Sequence, residues 1–71
     1  MDESVYKVIE LVGTSRDSWE KAATSAVERA AKNLRDLRIA EVTAQDLILE
    51  DGKVQVYRTK VKVSFKYEAG E

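Results

Sequence analysis

The stretch Glu50-Asp51-Gly52-Lys53-Val54-Gln55-Val56-Tyr57-Arg58-Thr59-Lys60-Val61-Lys62-Val63-Ser64-Phe65-Lys66-Tyr67 decides the fold. Within it, Tyr57, Thr59, Val61, Val63, Phe65 and Tyr67 fall on one side, and Arg58, Lys60, Lys62, Ser64 and Lys66 on the other. That period of two is what a strand with one buried face requires, because successive side chains point to opposite sides of the sheet. The spacing predicts a long strand over Val54–Tyr67. Asp51-Gly52 just ahead of it is a strong hairpin signal. The run on the far side of that turn, Arg38 to Leu49, carries Ile39, Ala40, Val42 and Leu47-Ile48-Leu49 and reads as the partner strand.

Further upstream the period changes. Trp19, Ala22, Ala23, Ala26, Val27, Ala30, Leu34 and Leu37 recur at spacings of three and four, which draws one apolar stripe along a helix predicted over 16–37. Glu20, Lys21, Glu28, Lys32 and Arg35 lie mostly on the other side, with Glu28 and Lys32 as a favourable i,i+4 pair. The stripe is rich in alanine, so the helix can lie close against whatever covers it. Thr14 or Ser15 is the expected cap, with Asp17 adding negative charge to the first turn, where the helix dipole favours it.

Ser4 to Val12 is rich in β-branched residues and reads as a first strand, broken by Gly13-Thr14-Ser15. The order is β-α-β-β. The expected fold is an α+β subunit whose three-stranded antiparallel sheet carries the long last strand at its centre and one helix across one face. That helix covers one side only, so Ile39, Leu47 and the first-strand residues Val5, Ile9 and Leu11 are expected half covered on the other, beside a basic ladder.

Composition narrows the function. The 71 residues and 8.0 kDa allow a single domain, residues 1–71. Twelve Lys+Arg against 13 Asp+Glu give a net charge of -1, the wrong footprint for nucleic-acid binding. The chain has no Cys and no His, which excludes thiol nucleophiles, disulfides, zinc fingers and Ser-His-Asp triads. Lys, Tyr and carboxylates remain for catalysis, and none is arranged at a spacing that suggests it, so no enzyme is expected. The longest apolar runs are a few residues against the ~20 needed to cross a bilayer, and no apolar stretch follows the acidic Met1-Asp2-Glu3. The expectation is a soluble, cytoplasmic protein. A core this small rarely supplies more than ~3–5 kcal/mol, and with disulfides and zinc gone, oligomerisation is the staple left.

Read together, Val5-Tyr6-Lys7-Val8-Ile9-Glu10-Leu11-Val12-Gly13-Thr14-Ser15, Ala26-Val27-Glu28-Arg29-Ala30, Ala40-Glu41-Val42, Glu50-Asp51-Gly52-Lys53-Val54 and Lys62-Val63-Ser64-Phe65 resemble, in order and spacing, the dodecins, a family of small flavin-binding proteins. The resemblance implies a β-α-β-β subunit whose sheet wraps the helix. It further implies a homododecamer, a hollow shell of 23 symmetry with helices outward and flavin (FMN, FAD or riboflavin) stacked in pairs on the inner sheet faces. The basic ladder Arg58, Lys60, Lys62 and Lys66 would then face interfaces or the lumen, paired with carboxylates such as Glu10 or Glu41 or with anionic ligands.

The pocket positions depart from the family. Ile39 stands where flavin-binding dodecins carry the stacking tryptophan, and Arg58 aligns with a glutamine that hydrogen-bonds the flavin ring; Gln45 is the third pocket position. A branched aliphatic side chain offers no π-face, and arginine has donors but no acceptor, so flavin binding is expected to be weakened. Trp19, early in the helix, reads as a packing anchor and does not replace the lost aromatic. In these respects the chain resembles a tryptophan-less branch of the family associated with calcium. No EF-hand loop is present, and Asp46, Glu50, Asp51 and Glu68 are metal candidates by residue type, to be assembled across subunits. The expected function is a shell that binds or sequesters a small ligand without catalysis; the alternative is a calcium-binding or purely structural dodecamer without flavin.

Overall fold

A computed structural model describes residues 3–66. The elements are β1 (Tyr6–Ser15), α1 (Trp19–Ala31), β2 (Leu37–Glu50) and β3 (Lys53–Lys66). They form one antiparallel sheet in the order β1-β3-β2, with the alternating strand at its centre as expected. Asp51 and Gly52 take φ values of 53° and 74°. Both are left-handed, which is what a two-residue hairpin matched to the twist of its strands needs.

Register sorts the side chains into two faces, because residues directly opposite each other in an antiparallel pair share a face. Ile9 faces Val63, Leu11 faces Val61 and Gly13 faces Thr59. On the other flank Val42 faces Val61 and Leu47 faces Tyr57. These residues all belong to the helix side, where Val61, Val63 and Thr59 are fully buried and Ile9, Leu11, Ala23, Val27 and Leu37 pack around them. The placement of Ile9, Leu11 and Leu47 on the open face is therefore corrected. Tyr6, Val8 and Val12 hold those places with Ile39; Val5 lies ahead of β1, and Val5 and Ile39 are each 64% accessible, barer than the half cover expected. Three register shifts interrupt β2, between Leu37 and Ile39, Val42 and Ala44, and Ile48 and Leu49. At the first two the extra residue, Arg38 and then Thr43, lies in β2 and resets its alternation, which is why β2 shows no clean period; at the third the extra residue is Gln55 of β3.

The first strand does not break at Gly13. Gly13, Thr14 and Ser15 continue it, opposite Thr59, Arg58 and Tyr57. The glycine serves close approach: a Cβ built there would run into the Ala22 carbonyl oxygen and lie 3.0 Å from the Ala26 Cβ. Glycine in a strand and alanines in a helix thus answer each other across one contact.

The helix is shorter than its stripe and is capped elsewhere. Ser18, in extended geometry, is the N-cap and accepts from the Lys21 amide at 3.0 Å. Ser15 instead folds the approach to the helix, its hydroxyl accepting from the Asp17 amide at 2.9 Å. Asp17 precedes the first turn and pairs with Lys21 at 3.0 Å. At the other end the Ala30 carbonyl accepts from both Asn33 and Leu34, closing the last turn tightly. Asp36 then turns the chain at a φ of 58°. Leu37 leaves the stripe because it is needed opposite Phe65 in β2. The sequence expectations at Tyr67, Glu68 and the last three residues lie outside the described residues.

The fold leaves much uncovered. The radius of gyration is 14.8 Å, against about 11 Å for a compact chain of this length. The accessible surface is 5622 Å², against about 4,450 Å² for a compact monomer of this mass.

Gly13→Ala should destabilise the subunit, since the added methyl meets helix backbone that cannot rotate aside. Overpacking of this kind costs roughly 1–3 kcal/mol or more. Urea unfolding monitored by circular dichroism would show a lowered midpoint; an unchanged midpoint would mean that the helix shifts without loss.

Candidate functional site

The open face of the sheet is built in rungs of three. Val8, Ser64 and Ile39 form one; Glu10, Lys62 and Glu41 the next; Val12, Lys60 and Ala44 the third; Thr14, Arg58 and Asp46 the fourth. The flanks of these rungs therefore alternate between apolar and polar or charged residues, on the face of the sheet opposite the buried Thr59, Val61 and Val63. Val8 and Val12 are 54% and 52% accessible there.

Each cation of the ladder has a different setting. Register places Lys62 in the rung of Glu10 and Glu41. Lys60 has apolar neighbours on both flanks. Arg58 meets neither glutamate: its Nε donates to Asp46 Oδ1 at 2.7 Å and its second terminal nitrogen to Oδ2 at 2.8 Å. This bidentate fork across one rung is the strongest geometry open to a guanidinium and a carboxylate. The donated hydrogen bonds from Arg58 hold the Asp46 carboxyl below its ordinary value of 3.8, aided by the charges of Arg58 and Lys60 and opposed by desolvation. The same bonds raise the pKa of Arg58.

Asp46 is held from behind as well. The Trp19 indole N–H donates to the Asp46 backbone carbonyl at 3.0 Å. The Trp19 ring meets Tyr57 edge-on, with centroids 5.3 Å apart and planes at 82°. Thr59 completes the link by donating its hydroxyl to the Trp19 carbonyl at 2.9 Å. The first residue of α1 thereby ties β2 to β3 at the rung that carries the ion pair. Trp19 is the packing anchor expected from the stripe, but its bond to Asp46 was not anticipated. Counting back from Asp51-Gly52 in regular register sets Asp46 opposite Tyr57, and the extra residue Gln55 in β3 moves it opposite Arg58, so neither the ion pair nor the indole contact had a sequence signal.

The three pocket positions do not converge within one chain. Ile39 and Arg58 share the open face, but Ile39 stands opposite Ser64, six residues along β3 from Arg58, or about 20 Å at a strand rise of ~3.4 Å. Gln45 faces Thr59 on the helix side and lines a hollow of about 490 Å³ with Trp19, Ala23, Thr24 and Val42. Any ligand touching all three would need more than one copy of the chain. The metal candidates are equally dispersed, with Asp46 in its ion pair and Glu50 and Asp51 at the hairpin tip. Among the described residues no three acidic side chains come together as an ion site. No helix among them is long and apolar enough to cross a membrane.

Comparison with known proteins gives these rungs a context. The sequence model of the family described as Dodecin matches residues 5–68. Calcium dodecin of Mycobacterium tuberculosis is 49% identical over 63 residues, which cover 89% of this chain and 89% of that protein. Dodecin of Thermus thermophilus is 39% identical over 64 residues, covering 90% and 93%. Among solved structures, dodecin from Streptomyces coelicolor matches with a TM-score of 0.91 at 38% identity, over 99% of this chain and all of that one. The Mycobacterium tuberculosis calcium dodecin, described as a calcium-chelating immunodominant antigen with a novel calcium-binding site, matches with a TM-score of 0.83 at 46% identity, covering 96% and 97%.

Asp46→Asn should lower the melting temperature at neutral pH by removing the charged fork. The Asp46 pKa is depressed in the folded chain, so its contribution is present above the ordinary carboxylate value and lost as pH falls through the folded one. The gap between wild type and variant should therefore close on acidification below 3.8. A gap independent of pH would show that the asparagine acts through shape alone.

Proposed function

The chain belongs to the dodecin family, and from that premise we propose that it forms a homododecameric shell of 23 symmetry that holds a small ligand against its sheet faces without turning it over. The observation that carries this reading is the open face itself. It sets half-exposed valines and an isoleucine beside four cations, on a subunit whose surface exceeds that of a compact monomer of its mass. Such a face is suited to a lumen or an interface rather than to bulk solvent. The absence of His and Cys supports binding over catalysis. We assign the protein to the cytoplasm.

The ligand in this proposal is of flavin type, bound more weakly than in dodecins that carry the stacking tryptophan. Ile39 supplies apolar contact but no π-face, and Arg58 is already engaged by Asp46 through two hydrogen bonds. A second reading, a shell that holds calcium, is favoured by the 49% identity to a protein named calcium dodecin. A single described chain does not suit that ion, since it gathers no three carboxylates. Asp46, Glu50 and Asp51 would have to be shared among copies, and Asp46 would first have to release Arg58.

Native mass spectrometry of the purified protein, with its visible absorbance, tests the proposal. A 12-mer that takes up added riboflavin weakly supports it, and Ile39→Trp should tighten that binding about tenfold, as one stacked aromatic pair of ~0.5–1.5 kcal/mol allows. A 12-mer that Ile39→Trp leaves blind to flavin sinks the flavin reading. If a chelator lowers the melting temperature and calcium restores it, the second reading replaces the first, because a ligand bound only by the native state stabilises it. A single chain at all concentrations would overturn the shell.

A further inference from the structure

β1 stops pairing with β3 at the rung of Ser15 and Tyr57. Beyond it β2 and β3 continue alone as a two-stranded ribbon to the turn at Asp51-Gly52. Two-stranded hairpins are marginal in water by themselves. This one also carries exposed apolar side chains, with Ile48 43%, Leu49 60% and Val54 47% accessible. Its tip, Glu50-Asp51-Gly52-Lys53, has a net negative charge.

At the other side of the subunit, a groove of about 530 Å³ runs between β1 and α1. Ile9, Leu11, Ala26, Ala30 and Leu34 are among its lining, and Arg29 is the one charged side chain there among the described residues. Arg29 is exposed and enters no ion pair among the described residues.

We infer that the groove between β1 and α1 receives the β2–β3 hairpin tip of a second copy of this chain, with Glu50 or Asp51 beside Arg29. Protrusion and groove are both apolar, and their charges are opposite. The surface in excess of a compact monomer, about 1,200 Å², exceeds the ~800 Å² that each partner buries in a stable interface. Two tips meeting each other would instead bring like charges together. The contact is head-to-tail: each copy gives a tip and offers a groove, so copies close into rings when the rotation allows. The inference rests on the shell reading and names the surfaces that build the shell.

The chain has no cysteine, so introduced thiols report alone. Ser25→Cys on the groove and Glu50→Cys at the tip, in copies of the full chain that are co-expressed and treated with a mild oxidant, should give the mixed disulfide dimer as the main cross-link. A main product of two Glu50→Cys chains, or no cross-link in particles of wild-type mass, would overturn the contact while the shell stands. Charge exchange gives a second measure. Arg29→Glu should lower the assembled fraction at least tenfold near the midpoint of dissociation, and Glu50→Lys in the same chain should restore it. Unchanged assembly of Arg29→Glu would overturn the pairing. A wild-type protein found only as single chains would remove the shell reading, and this contact with it.

Discussion

A helix and a strand cover very different lengths per residue, and this subunit is shaped by that difference. Thirteen residues of α1 span about 20 Å at ~1.5 Å each. Fourteen residues of β3 span nearly 48 Å at ~3.4 Å each. One helix therefore covers less than half of the central strand and only one of its faces. The ribbon beyond Tyr57, the uncovered rungs of the open face and the excess surface all follow from this mismatch, which no rearrangement of the same elements removes.

What the helix does cover, it covers closely. Gly13 removes the side chain that would separate β1 from α1, and Ala22 and Ala26 meet it with the smallest groups a helix can offer. Such a seat has little tolerance for sliding. Trp19 fixes the remaining freedom by bonding to Asp46 on β2, stacking edge-on against Tyr57 and accepting from Thr59 on β3. Side chains on the helix face therefore set the position of a charged pair on the open one. The coupling runs through the Asp46 backbone, whose carbonyl and carboxylate are held from different directions.

How much of this was legible in the sequence depends on how local each signal is. The hairpin, the central place of β3 and the two faces of that strand followed from Asp51-Gly52 and a period of two, both properties of adjacent residues. The helix end is not legible because Leu34 and Leu37 keep the apolar spacing after α1 has ended at Ala31, so the stripe outlasts the helix. Gly13 looked like a breaker because its role is set by Ala22, which lies on another element. The face of Ile9 and Leu11 required the register with Val61 and Val63, which a strand's own composition does not contain. At the candidate site, Ile39 and Arg58 were recognised as departures from a family pattern, but the partner of Arg58 is set by β2 register, where bulges hide the period.

Those bulges bear on how the molecule associates. β2 forms one edge of the sheet, and a long edge strand with regular spacing is a template on which further strands can add without limit, as in fibrils. Two extra residues within β2, Arg38 and Thr43, break that regularity. An incoming strand would find donors and acceptors out of step every few residues, and only a partner with matching irregularities could follow it. An edge so interrupted is protected against unlimited growth, which leaves association to surfaces that close on themselves.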